Sequence, residues 1–125
     1  MKHFLPILIL TIIFFASSLP AHPPKDVTLN FNTEDHVLTV AVAHSVNNRA
    51  KHFIYRIVVE LNGQEIIQQN FKSQTSDEGQ EVQYVIVDAK EGDEIAVTAF
   101  CNISGKKKKS LGITLKENID TGKDD

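Results

Sequence analysis

Cys101 is the only cysteine in a chain of 125 residues. It closes the last long apolar run, in Ala99-Phe100-Cys101-Asn102-Ile103-Ser104-Gly105. A single thiol forms no intramolecular disulfide. It is either a small buried hydrophobe, the usual state of a free cysteine, or a thiolate ligand at a strand end. Two upstream imidazoles bear on that choice. His44 follows the alternation Leu38, Val40, Val42, and His52 opens the next apolar run, so only the polar stretch Ser45 to Lys51 separates them. One such loop returns both histidines to the same end of a fold made of strands. Cys101 joins them there if its own strand runs the right way. Two imidazoles and a thiolate are a donor set for iron, copper or zinc. The competing reading is two solvated loop histidines and an unrelated buried thiol.

Two more histidines follow the amino-terminal apolar run. His22 stands before Pro23-Pro24, where an export leader would end. As the first residue of a processed chain, it would offer its amine and imidazole together, a chelate that copper favours; otherwise it is a histidine beside a cleavage site by chance. His36 lies in a polar turn and reads as an ordinary solvated histidine.

The elements that must position these side chains are all strands. Val27, Leu29 and Phe31 alternate with polar residues, then Asn32-Thr33-Glu34-Asp35 supplies turn chemistry before Leu38, Val40 and Val42. The third strand, His52 to Leu61, is the longest, with Phe53, Tyr55, Ile57, Val59 and Leu61 on one face. Asn62-Gly63 is a strong hairpin signal, and Ile66, Ile67 and Phe71 lie on the returning strand. Ser73 to Gln80 reads as a long polar loop. Val82, Tyr84 and Ile86 make the fifth strand, Ile95 to Cys101 the sixth, and Leu111, Ile113 and Leu115 the seventh. Lys106 to Lys109 fall between the last two, as the tip of a solvated hairpin or as a cationic patch that steers an anion. Seven short strands with no 3.6-residue apolar stripe indicate an all-β, seven-stranded antiparallel immunoglobulin-like β-sandwich. The cysteine–tryptophan–cysteine pattern of antibody domains is missing, so only the architecture is expected.

Composition bounds the rest. Met1-Lys2-His3 followed by the apolar run Phe4 to Ala16 and by Ser17-Ser18-Leu19-Pro20-Ala21 has the form of a secretory signal cut after Ala21, or alternatively after Ser18. The run is short for a bilayer span, which needs about 20 apolar residues. Removing residues 1–21 from 125 leaves 104, enough for one domain over 22–116, with 117–125 a flexible charged tail. The leader carries one lysine and no acid, so the formal charge moves from −3 to −4 on its removal. A mildly acidic domain with no broad basic face is not built for nucleic acid. No membrane attachment is expected after cleavage, and the location is periplasmic or secreted.

Ala43-His44-Ser45, Lys51-His52-Phe53-Ile54 with the following apolar strand, and Cys101-Asn102-Ile103-Ser104-Gly105 resemble the iron-binding domain of superoxide reductases, the desulfoferrodoxin and neelaredoxin family. That family has His-Pro, a short loop, His-Tyr-Ile and a strand, then Cys-Asn-x-His-Gly. The resemblance covers His44 to Gly105, about half of the chain, and implies an immunoglobulin-like sandwich with one iron. In the family four histidines bind iron in a plane and a cysteine thiolate binds axially, pushing electron density onto the ligand opposite. The implied reaction is one-electron reduction of superoxide to hydrogen peroxide, fed by an electron donor. Carried over, the ligands are His44, His52 and Cys101, with His22 at the first ligand position.

Departures from the pattern lie at the site itself. Ser104 stands at the last histidine ligand, Ser45 replaces the proline, the loop from His44 to His52 is about two residues longer, and the family's Glu-Lys pair has no counterpart. The implied protein is an exported mononuclear iron binder of weak or absent turnover. Its alternatives are a non-enzymatic copper-binding protein with the same donors and a metal-free structural or interaction sandwich. Asn102-Ile103-Ser104 also spells a glycosylation sequon, whose position beside the implied ligands argues against a glycan.

Overall fold

The computed structural model describes residues 22–115. The expected leader at 1–21 and the tail at 117–125 lie outside the described residues. No described helix is long and apolar enough to cross a membrane. Seven strands follow in order: β1 (Asp26–Asn32), β2 (Val37–Ala43), β3 (Ile54–Leu61), β4 (Gln64–Asn70), β5 (Gly79–Val85), β6 (Glu94–Cys101) and β7 (Lys106–Gly112). They form two antiparallel sheets, one ordered β1-β2-β5 and the other β4-β3-β6-β7.

The period-2 pattern explains why the sheets stack. Val27, Leu38, Val40 and Val42 face inward from the first sheet, and Ile57, Val59, Ile95, Val97 and Ala99 from the second; all are buried and form one cluster. Turning these side chains out of water supplies the main driving force, on the order of 25 cal/mol per Å² of apolar area. β1 and β7 approach each other and close one side of the sandwich. Asn62 and Gly63 form the β3–β4 turn with φ of 49° and 81°, the positive pair that a type I′ turn requires.

Several strand expectations need correction. β3 begins at Ile54 rather than His52, and its pairing with β6 shifts register between Ile54 and Arg56. That bulge inserts one residue, so Ile54 turns onto the inward face shared by Ile57 and Val59, while Phe53 and Tyr55 are half-buried. The bulge also aligns Ile54 with Cys101. β5 begins at Gly79, inside the expected loop, and Ile86 has left the strand but is buried in the turn that follows.

The lysine run is not a hairpin tip. Residues 102–105 make the tip, and Lys106 to Lys109 are the first part of β7 itself, paired with Phe100 down to Val97. β7 is an edge strand, and lysines on an edge discourage pairing with another chain. Lys108 reaches across β6 to Glu60, with Nζ 3.0 Å from Oε2. Lys106 Nζ lies 5.7 Å from the centre of the Phe100 ring.

Candidate metal centre

One end of the sandwich collects the approach to β1, the end of β2, the start of β3 and the end of β6. His44 is the first residue after β2, and its backbone N–H donates to Glu78 O at 2.9 Å. His52 ends a turn organised by Asn48, whose carbonyl accepts from the backbone of Lys51 and His52 at 3.1 and 2.9 Å. The Asn48 side chain accepts from Ala50 N at 3.0 Å, an Asx turn. Asn102 then staples this turn to β6. Its Oδ1 accepts from Phe53 N at 2.9 Å and its Nδ2 donates to Lys51 O at 3.0 Å. An Asn102 engaged at both ends of its amide has structural work of its own, whatever the sequon implies.

The expected condition on strand direction is met: β6 runs antiparallel to β3 and delivers Cys101 beside His52. His52 Nε2 is 3.1 Å from Cys101 Sγ. One donor atom each from His44, His52 and Cys101 lie within 4.8 Å of one another. His44 and Cys101 are buried, at 1% and 5% exposure, whereas His52 is half-buried and borders solvent. The backbone N–H of Ile103 points at the sulfur, 3.5 Å away.

His22 joins the group from the chain entering β1. Its exposed ring is 5.1 Å from the His44 ring and 5.2 Å from the His52 ring, centre to centre, and those two are 4.7 Å apart. Gly105 holds this segment close: with φ of 81° it packs directly on Pro23, where a side chain would have no room. The glycine that ends the cysteine motif therefore positions the residue next to His22. Ser104 is exposed in the same tip and is not one of the three donors.

Gln74 is the member that sequence reasoning missed. It sits in the crossing from β4 to β5, read as a polar loop, yet it is only 4% exposed. Its amide bonds to the His44 imidazole and to the backbone of Ile54, His44 and Ser76. A glutamine amid Ser, Thr and Asp carries no periodic signal that separates a buried amide from a solvated one. Gln80, also buried, ties the same crossing together through Thr75.

His36 corrects a smaller expectation. It lies at the far end of the sandwich, half-buried, with φ of 57°. Its Nδ1 is 3.2 Å from Ala89 O, and its ring meets Phe31 edge-on at 6.2 Å. It closes a turn against another and, among the described residues, is not part of the donor group.

Electrostatics at the site favour neutral imidazole and an anionic visitor. The His52 pKa is held below its ordinary value of 6.5, first by partial burial and then by the positive charge that His44 and His22 would carry. A neutral ring keeps a lone pair for a metal. Outside the ring cluster lies an open cleft of about 610 Å³ lined by His22, His44, Lys25, Lys106 and Lys107, among others. A cationic rim of this kind raises the local concentration of small anions. Two imidazoles and a thiol, with no carboxylate in the group, suit a borderline or soft first-row ion better than calcium or magnesium. Compared with protein-family models, with curated proteins and with solved structures, the chain has no match.

Proposed function

We propose that this chain is an exported, superoxide-reductase-like protein that holds one iron ion at His44, His52 and Cys101, with His22 beside them. The observation that carries this reading is the convergence of three donor atoms, from the ends of β2 and β6 and the turn before β3, within 4.8 Å. Bound iron(II) would supply the single electron that, with two protons, takes superoxide to hydrogen peroxide. The chain's own contribution is binding and orientation. Asn102 holds the turn of His52 against β6, Ile103 N–H points at the Cys101 sulfur, and Lys106 and Lys107 draw an anion to the cleft. With a serine at position 104, turnover is expected to be weak.

The immunoglobulin-like character of the sandwich belongs to the same reading. Seven strands split three and four support it, although β4 pairs with β3, whereas the constant-type antibody arrangement puts its fourth strand on the first sheet. Copper is the competing metal, because two imidazoles and one thiolate are also the trigonal set of electron-transfer copper sites.

Anaerobic loading with iron(II), removal of excess metal, elemental analysis and mild oxidation test the proposal. Near-stoichiometric iron and a visible thiolate-to-iron charge-transfer band, both lost in Cys101→Ser, are expected. Retention of copper(II) with a thiolate-to-copper band, and of no iron, would transfer the site to the copper reading. Retention of neither metal would leave a metal-free sandwich.

A further inference from the structure

The amide of Gln74 has an oxygen end and a nitrogen end, and its backbone neighbours decide which is which. Ile54 N–H lies 3.1 Å from Oε1, and a backbone N–H can only donate. The carbonyls of His44 and Ser76 lie 3.0 and 3.1 Å from Nε2, and a carbonyl can only accept. All three partners require the same orientation, with Oε1 as acceptor. That oxygen is also the group facing His44 Nδ1, so Nδ1 must carry a proton.

A neutral imidazole has one N–H, so the other nitrogen, Nε2, bears a lone pair. Among the described residues, no donor lies within hydrogen-bonding distance of that lone pair. The hydrogen-bonding group described beside it is the carbonyl oxygen of His22, 3.4 Å away, which is an acceptor too. A ring only 1% exposed has little water to turn to. Leaving such a nitrogen unpaired in the interior is costly. A cation satisfies a lone pair that no donor reaches, and the Cys101 sulfur and the second imidazole stand at the same place.

We propose that Gln74 is a positioning residue that locks His44 in its Nδ1–H form and thereby presents Nε2 to a metal shared with His52 and Cys101. Only the last step rests on the metal reading above; the tautomer follows from the hydrogen bonds. The physical logic is that of an outer-shell partner, which sets both the ring's orientation and the nitrogen left free to bind. Gln74 does this with a neutral amide, itself held by three backbone groups.

Nitrogen-15 spectra of the imidazole side chains in metal-free protein read the tautomer directly. His44 is expected as the neutral Nδ1–H form. Gln74→Met keeps the length and removes the acceptor; it should release His44 to the Nε2–H form and weaken iron(II) binding, measured against a competing chelator, about 10–100-fold. Finding His44 in the unsubstituted protein as Nε2–H, or doubly protonated at neutral pH, overturns the proposal, and this needs no variant to fold. An unchanged tautomer and unchanged iron affinity in Gln74→Met overturn it as well. A protein that keeps the Nδ1–H form yet takes up no metal supports the role of Gln74 and overturns the metal reading instead.

Discussion

The two ends of the sandwich are closed by opposite balances of hydrogen-bonding groups. At the end holding the Asn62–Gly63 turn, donors meet acceptors. Asn62 Nδ2 donates to Asp93 Oδ1 at 3.0 Å, Asn62 Oδ1 accepts from Glu94 N at 2.9 Å, and Asp93 Oδ2 accepts from Lys90 N at 3.0 Å. The Asn62 amide, then the Lys90 N–H, hold the Asp93 carboxyl below its ordinary range. At the other end lone pairs converge: His44 Nε2, the Cys101 sulfur and the His22 carbonyl. The first arrangement is complete in itself. The second brings ring nitrogens, a sulfur and a carbonyl oxygen to one place, the feature on which the proposed metal reading rests. Histidine type alone does not separate the ends. His36 and His44 both turn Nδ1 toward an oxygen, and they differ in what surrounds the rest of the ring.

Glycine replacements give the strongest way to break this comparison. A Cβ at Gly79 would run into the Val42 carbonyl, one residue before Ala43 and His44, whereas a Cβ at Gly112, at the far end, meets open space. Gly79→Ala should cost about 3 kcal/mol through forced displacement of β2, and Gly112→Ala should leave the urea midpoint nearly unchanged. Equal midpoints for the two variants would mean that the β2–β5 pairing is looser than described.

Metal-dependent stability comes next. At a free iron(II) concentration of about 100 times Kd, a ligand bound only by the folded state adds about 2.7 kcal/mol. For a domain of this size that raises Tm by roughly 4–8 °C for each kcal/mol. Cys101→Ser should abolish the rise and His36→Gln should keep it, as followed by thermal melts under anaerobic conditions. A rise that survives Cys101→Ser would move the cation away from the thiol.

Two glycines with nearly the same backbone sharpen the contrast further. Gly92 and Gly105 have φ of 88° and 81°, so alanine at either is strained by roughly 1–2 kcal/mol. Only Gly105 is crowded, by Pro23. Gly105→Ala should therefore lose more stability than Gly92→Ala and, by pushing the segment of His22 outward, weaken metal retention as well. Chemical denaturation and chelator competition on the pair measure both effects.

The smallest effect is in pH, and it has opposite signs at the two ends. His52 has its pKa lowered in the folded state. The unfolded chain therefore takes up that proton first, so metal-free protein keeps this share of stability above pH 6.5 and loses it as pH falls below. Tyr84, on β5 opposite Leu38, has its pKa raised from 10.0 to about 12 by burial, and its hydroxyl has no hydrogen-bond partner. Its contribution is complete below pH 10.0 and is lost as pH rises through about 12. Melts across pH, with the tyrosine ultraviolet band followed in alkali, should show both flanks; a Tyr84 that ionises at its ordinary pKa would remove the alkaline one.

Much of the fold was legible because alternation is local. Val27-Leu29-Phe31 and Leu38-Val40-Val42 need only their own period to declare a buried face, and Asn62-Gly63 needs only positive φ. The lysine run was misread for the same reason. Four charges in a row look like a solvated tip, and only pairing with β6 makes them an edge strand. The three-donor group was legible as far as loop length brought His44 and His52 to one end. Its closure on Cys101 depended on strand direction, and Gln74 was invisible because burial of a polar amide depends on what the rest of the chain wraps over it.

By itself, then, the amino-acid sequence determined strand identity, the β3–β4 turn and the presence of one thiol with nearby imidazoles, all set by backbone preferences and short-range pattern. Tertiary structure decided the bulge that aligns Ile54 with Cys101, the approach of Pro23 to Gly105, and the amide that selects which nitrogen of His44 is free. These link residues 30 to 82 positions apart (His44–Gln74 to Pro23–Gly105). Contacts at such separations are chosen by the packing of two whole sheets, and no short stretch of the chain encodes them.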